Sequence, residues 1–189
     1  MIHSQLSKQL KKTAVATAAL LLAIAIPAGC GKQAPQTASD LVMDTVFSVT
    51  LYGNEVEASE LLEIGKNLDS DVLSRFSVNS SVTEYNRGVM SDDIENILKR
   101  CDEIDQASSA AFDVRIGALS DLWDIDGAAK GETEFLLPAE ADIETALENR
   151  DIIDLGAVGK GIYLDKVLTV LEENSVPGAV ISAGGSILV

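Results

Sequence analysis

The chain has 189 residues and carries 30 aspartates and glutamates against 14 lysines and arginines, a net charge of −16 at pH 7. A surface this acidic repels nucleic acid and anionic membranes, so no nucleic-acid partner is expected and an anionic ligand needs a local positive site. The only histidine is His3, which excludes a histidine triad or a histidine–metal site from the mature part and leaves oxygen donors, suited to magnesium or calcium, for any metal.

Residues 1–29 read as an address. His3, Lys8, Lys11 and Lys12 make a basic start, and Thr13 to Ala28 is apolar or small throughout. That run is shorter than the ~20 residues a membrane-spanning helix needs and suits a signal-peptide core. Ala28-Gly29-Cys30 follows and resembles the bacterial lipoprotein box, in which the cysteine is lipidated and becomes the mature N-terminus. An uncleaved anchor and a soluble secreted form are the alternatives. Residues 30–39, rich in Gly, Gln, Pro, Thr, Ala and Ser, are expected to be a flexible tether. The folded domain is then expected over residues 40–189. With Cys30 lipidated, Cys101 has no internal disulfide partner, and its place in a helical pattern assigns it to the core.

From Asp40 the pattern is mixed. Val42 to Leu51 alternates and predicts one strand, ended by Tyr52-Gly53-Asn54. Glu55 to about Leu73 predicts an amphipathic helix. Ser74 to Gly88 is polar and aperiodic, and predicts a loop that keeps Phe76 and Tyr85 either for a pocket or as anchors on the core. Ser91 is an expected N-cap with acids in the first turn, and Ile94, Ile97, Leu98, Cys101 and Ile104 give a helical stripe. A short helix is predicted over Ile116 to Trp123, a surface loop over Asp124 to Glu134, and a helix from Pro138 to about Glu148 with proline in its first turn. Ile152-Ile153 reads as a short strand. After a helix over Lys160 to Glu173, Pro177-Gly178 is a break. Ala179 to Ser182 reads as a buried strand, Ala183-Gly184-Gly185 as a tight turn, and Ile187 to Val189 as a further strand. An apolar strand left without cover predicts a partner or further sequence beyond Val189.

The stretch Asp154-Leu155-Gly156-Ala157-Val158-Gly159-Lys160-Gly161 joins the predicted strand to the predicted helix. Glycines let a phosphate approach bare backbone, and a helix start offers unpaired N–H groups. Lys160 adds a positive charge and Asp154 an acceptor. The spacing is not that of a P-loop, since two residues separate Gly156 from Gly159 and Gly161 stands where Ser or Thr would hold magnesium. A phosphorylated ligand, a loose dinucleotide fingerprint and a plain strand-to-helix turn with a solvated lysine all fit the pattern.

Five stretches in order together resemble the bacterial FAD:protein FMN transferases, the ApbE family. They are Met43-Asp44-Thr45-Val46-Phe47-Ser48; Ser74-Arg75-Phe76 through Ser80 to Tyr85-Asn86; Ala111-Phe112-Asp113 with Gly117, Leu119 and Leu122-Trp123; Asp154 to Gly161 with Asp165; and Ser182-Ala183-Gly184-Gly185. Four places differ from the family pattern. Asp44 stands for a glycine, Ser109-Ala110 for a glycine-rich approach, Ser182 for asparagine, and Ser186 where aspartate or asparagine is common.

The resemblance implies an α+β fold, a mixed sheet with flanking helices, T-fold-like and incomplete at the C-terminus. It implies magnesium-dependent transfer of FMN from FAD, the substrate, to a threonine hydroxyl of a partner protein, with release of AMP. It implies flavin-nucleotide contacts from Met43, Phe76, Ala111, Phe112, Asp113, Asp154 and Lys160, and a magnesium contact from the Ala157 carbonyl. It also implies a lipid anchor at Cys30 on the extracytoplasmic face of a bacterial cell membrane. The family's remaining metal ligands and its base belong to a part that follows the Gly-Gly turn, so no catalytic residue is named, and the chain reads as an inactive or incomplete portion of the enzyme. The alternatives are a flavin- or nucleotide-binding lipoprotein without chemistry and, last, a dinucleotide-dependent oxidoreductase.

Overall fold

The computed structural model describes residues 34–53 and 56–189. The chain divides into two units, Met1–Ala34 and Pro35–Val189. The expected signal peptide, Cys30 and the tether up to residue 33 lie outside the described residues.

The second unit opens with a hairpin. Strands β1 (Gln36–Val42) and β2 (Thr45–Leu51) pair antiparallel from Gln36↔Leu51 to Val42↔Thr45. Met43 and Asp44 form the turn with φ of 49° and 56°. Two left-handed residues in a two-residue loop match the right-handed twist of the flanking strands. The single strand expected over Val42–Leu51 is therefore broken at Met43-Asp44. Gln36–Ser39, expected in the tether, lie in the sheet, held by backbone pairing that needs no apolar alternation.

Strand β3 (Ala179–Ala183) pairs with β2, and β4 (Ser186–Leu188) pairs with β3, both antiparallel. The order is β1-β2-β3-β4. The α+β class stands, and every strand ladder among the described residues is antiparallel rather than mixed. On the inner face Phe47 and Val49 of β2 sit opposite Ala183 and Ile181 of β3, all buried. The other face carries small polar residues with exposed Leu41, Val46 and Ile187. So β3, expected to be buried on both sides, exposes Val180 on that outer face.

Helices cover the inner face. Helix α1 (Ala58–Leu68) buries Ala58, Leu61, Leu62, Gly65 and Leu68. It begins after Glu55, and its expected last turn is a π-helical turn, Asp69–Leu73, closed by Ser74 N–H donating to Asp69 O at 2.9 Å. Helix α2 (Ser81–Tyr85) stands in the expected loop. Its N-cap, fully buried Ser80, accepts from Thr83 N–H at 3.1 Å. Helix α3 (Asp92–Ala107) starts at the expected Ser91 cap and buries Ile94, Leu98 and Cys101, while Ile104 is exposed. Burial pushes the Cys101 thiol up.

Helix α4 (Gly117–Trp123) lies where the pattern predicts it. Helix α5 (Ile125–Lys130) replaces the expected surface loop and is capped by the Asp124 carboxylate, which accepts from Gly127 N–H at 3.3 Å. Helix α6 (Glu140–Glu148) has Ala139 as its N-cap, so Pro138 precedes the helix instead of lying in its first turn. Ile152-Ile153, expected as a short strand, belongs to no strand. Its backbone is held by Asn86 and, through Asp154 N–H to Val114 O at 2.8 Å, by the segment before α4.

Helix α7 (Gly159–Glu173) buries Gly159, Tyr163, Val167 and Leu171, spaced four apart. The Tyr163 ring is fully buried against Phe47, centroids 4.7 Å apart. A Cβ on Gly65 would lie 3.2 Å from that ring, so α1 and α7 meet there through a glycine. The Tyr163 hydroxyl has no hydrogen-bond partner among the described residues, and burial raises its pKa to about 12. A buried hydroxyl without a partner costs about 1–3 kcal/mol. Tyr163→Phe should therefore stabilise the chain by about 1 kcal/mol, read as a higher urea midpoint at unchanged slope. A lower midpoint would mean that the hydroxyl is satisfied.

Candidate functional site

The glycine turn forms because two anchors fix its entry and one side chain folds it. Leu155 and Ile153 are fully buried. Asn86 grips Ile153 from both sides, its Oδ1 accepting from Ile153 N–H at 3.0 Å and its Nδ2 donating to Ile153 O at 3.4 Å. Asp154 Oδ1 then accepts from Gly156 N–H at 2.9 Å, an aspartate turn that bends the chain on itself. Gly159 N–H donates to Leu155 O at 3.0 Å, and α7 begins there. A Cβ at Gly159 would stand 3.2 Å from Leu73 and 3.4 Å from the Met43 sulfur. Bare backbone therefore packs the turn against both the hairpin and the π-helical turn.

These elements wall a cavity of about 720 Å³, within the range of small-molecule sites. The hairpin gives Met43 and Asp44, the π-helical turn Asp69 and Leu73, and the loop after it Ser74, Arg75 and Phe76. The end of α4 and the start of α5 give Trp123 to Asp126, with Lys130 beyond, and the glycine turn gives Asp154 to Gly156, Gly159 and Lys160.

Lys160 is half-buried and forms no ion pair among the described residues. Its stem lies beside the β3–β4 turn, where a Cβ on Gly184, at φ 59°, would be 3.0 Å from Lys160 Cε and 2.5 Å from the Thr45 side chain. Phe76 is 68% exposed, and its ring is met by the Arg75 guanidinium at 5.2 Å and the Lys130 ammonium at 5.8 Å. Trp123 stacks on Phe135 with centroids 6.4 Å apart. Burial pushes the Asp69 carboxyl above the ordinary range, against the Met43 N–H that it accepts; the Asp44 charge adds to the rise.

Of the residues singled out in the sequence, Met43, Phe76, Asp154 and Lys160 line this cavity. Ala111, Phe112 and Asp113 do not. Phe112 packs against the core, and Asp113 works as a clamp, accepting from Arg115 N–H at 2.9 Å and pairing with Arg150. Burial opposes its ionisation, but the Arg115 N–H and the Arg150 guanidinium hold its carboxyl below the usual range. Ala157 is exposed on the glycine turn, outside the cavity lining. No group of three metal-ligating side chains occurs among the described residues. The Ala157 carbonyl alone does not make a magnesium site. Arg75, quoted only as part of a family stretch, and Lys130 also line the cavity but were given no role from the sequence. The available signal was positive charge isolated in polar loops of an acidic chain.

The fold is shared with solved flavin transferases. The ApbE from Vibrio cholerae is 15% identical at a TM-score of 0.68, with 81% of this chain and 59% of that one covered. The apo flavinyl transferase ApbE from Pseudomonas stutzeri is 16% identical at a TM-score of 0.70, covering 84% and 59%. The ApbE protein from Thermotoga maritima is 21% identical at a TM-score of 0.69, covering 81% and 58%. The chain thus spans about three fifths of the length of these relatives. No curated protein sequence matches it. The profile of the ApbE family matches residues 43–189, which include the hairpin turn, the glycine turn and every residue lining the cavity. The chain belongs to the ApbE family.

Proposed function

We propose that this chain is the flavin-nucleotide-binding portion of an FAD:protein FMN transferase. In that reaction FAD is cleaved at its diphosphate, FMN passes to a threonine hydroxyl of an acceptor protein, and AMP leaves. The observation that carries the reading is the cavity itself. One wall is a glycine turn at a helix start with a lysine that forms no ion pair among the described residues, and the others hold two aromatic rings, Phe76 and Trp123. The first suits a diphosphate and the second a planar ring system.

Lys160 would bind and orient the diphosphate. Phe76 would stack on a ring, and Asp154 would keep the Gly156 backbone bent toward the ligand. Magnesium, when bound in such an enzyme, supplies charge neutralisation at the transferring phosphoryl group. The described residues offer it the Ala157 carbonyl and no cluster of metal-ligating side chains. In the same proposal, a lipid on Cys30 holds the protein on the extracytoplasmic face of a bacterial membrane. Support for this comes from the basic start, the apolar run and the cysteine after Ala28-Gly29.

A second reading is binding of the flavin nucleotide without turnover, favoured by the same sparse donor set. One experiment separates them: titrate the purified chain with FAD, then add magnesium and an acceptor protein and follow AMP release and flavin attachment. Binding with AMP release and a flavin-labelled acceptor is the expected result for the transferase. Binding with neither product selects the second reading, and absence of FAD binding overturns both.

A further inference from the structure

Arg75 touches three walls of the cavity at once. Its side chain is 15% exposed. Nη2 pairs with Asp121 Oδ1 on α4 at 2.8 Å, and Nη1 donates to the Gly117 carbonyl at the start of α4 at 3.1 Å. Nη1 also lies 3.6 Å from Asp154 Oδ2, and the guanidinium carbon stands 5.2 Å from the centroid of the Phe76 ring. Asp154 is divided between two tasks: Oδ1 accepts from Gly156 N–H at 2.9 Å, while Oδ2 faces Arg75.

Arg75 and Lys160 are both cations on the lining, but their surroundings differ. Arg75 is already shared by two carboxylates, a carbonyl and a ring, whereas Lys160 has no ion-pair partner among the described residues. A cation with that many protein partners gains little from a ligand phosphate, because it would have to give up existing bonds. A planar guanidinium can hold several partners at fixed angles, which an ammonium on a flexible stem cannot.

We propose that Arg75 is a positioning residue of the cavity. It fixes the Asp154 carboxylate, and through it the Gly156 end of the glycine turn, and it holds the Phe76 ring in place, so that backbone and ring are set before the ligand arrives. This rests on the flavin-nucleotide reading for its use, but the positioning itself belongs to the free protein.

The test uses Arg75→Lys and Arg75→Gln in the full chain, each checked for native circular dichroism. Arg75→Lys keeps charge and stem, so one variant remains informative if the other fails to fold. The first readout is amide exchange at Gly156 in the ligand-free protein, by NMR. The expected result is exchange faster by about 10-fold or more in both variants, matching Asp154→Asn, because loss of the Arg75 anchor loosens the aspartate turn. Gly156 exchange as slow as in the unaltered chain would overturn the proposal, whatever the protein binds.

The second readout is a double-mutant cycle on FAD affinity. Arg75→Gln and Asp154→Asn should each cost about 10-fold, and together about the same 10-fold, because one residue acts through the other. Losses that multiply to about 100-fold would overturn it. If the unaltered chain binds no FAD, the flavin reading fails, and the exchange measurement alone still decides the role of Arg75.

Discussion

Lys160→Ala should weaken FAD binding by about 10- to 100-fold while leaving the fold intact. A charge-assisted hydrogen bond is worth about 1.5–3 kcal/mol, and each 1.4 kcal/mol is a factor of about ten in affinity. Lys160 stands at the second position of α7, at a helix start that already favours anions. Its charge is not neutralised by any carboxylate among the described residues. Fluorescence titration of the two proteins at low and moderate salt gives the ratio directly. The difference should shrink as salt screens the charge, and Lys160→Arg should recover part of it. Equal affinity in the alanine variant would mean that the lysine is only a solvated residue of the turn.

Gly117→Ala should destabilise the chain by about 3 kcal/mol, at the upper end of what overpacking costs. A Cβ there would stand 2.5 Å from Ile152 Cγ2 and 2.9 Å and 3.0 Å from the Ile152 carbonyl oxygen and carbon. The latter two are backbone, so rotating a side chain does not relieve them. The same residue donates its N–H to Ile152 O at 3.0 Å and offers its carbonyl to Arg75. Pushing Ile152 away moves the chain two residues before Asp154. Chemical denaturation should show a lower midpoint, and FAD affinity should fall with it. A midpoint within error of the unaltered chain would show that α4 can slide away from Ile152 at little cost.

What was legible in the sequence was chemistry that is local. The glycine turn, the Ser91 cap and the helix from Lys160 to Glu173 are written in adjacent positions, and the structure holds them there. Strand β1 was hidden because Gln36 to Asp40 has no apolar alternation; it is a strand only because β2 lies beside it. Helices α2 and α5 are short, and their caps Ser80 and Asp124 look like ordinary loop residues. The role of Arg75 was illegible for a different reason: its partners Asp121 and Asp154 come from distant parts of the chain.

Two departures from the family pattern also have a physical basis. Asp44 has φ 56°, and Ser109 and Ala110 have φ 57° and 65°, the left-handed region in which glycine is unstrained. Aspartate tolerates that region better than most residues, because its short polar side chain can bond locally. Alanine has no such help. These positions take the left-handed shape without glycine, at a strain that is smaller at Asp44 than at Ala110.

The chain has a single tryptophan, and Trp123 stands in the cavity wall rather than in the core. Its near-ultraviolet emission is thus a built-in optical probe of one place. Flavin absorbs where indole emits, so an occupied cavity would darken the protein by energy transfer with no label attached. The same probe is largely blind to the sheet and to α7. Emission and far-ultraviolet dichroism recorded along one denaturation curve would coincide if wall and core open together, and would separate if the wall of α4 and α5 loosens first.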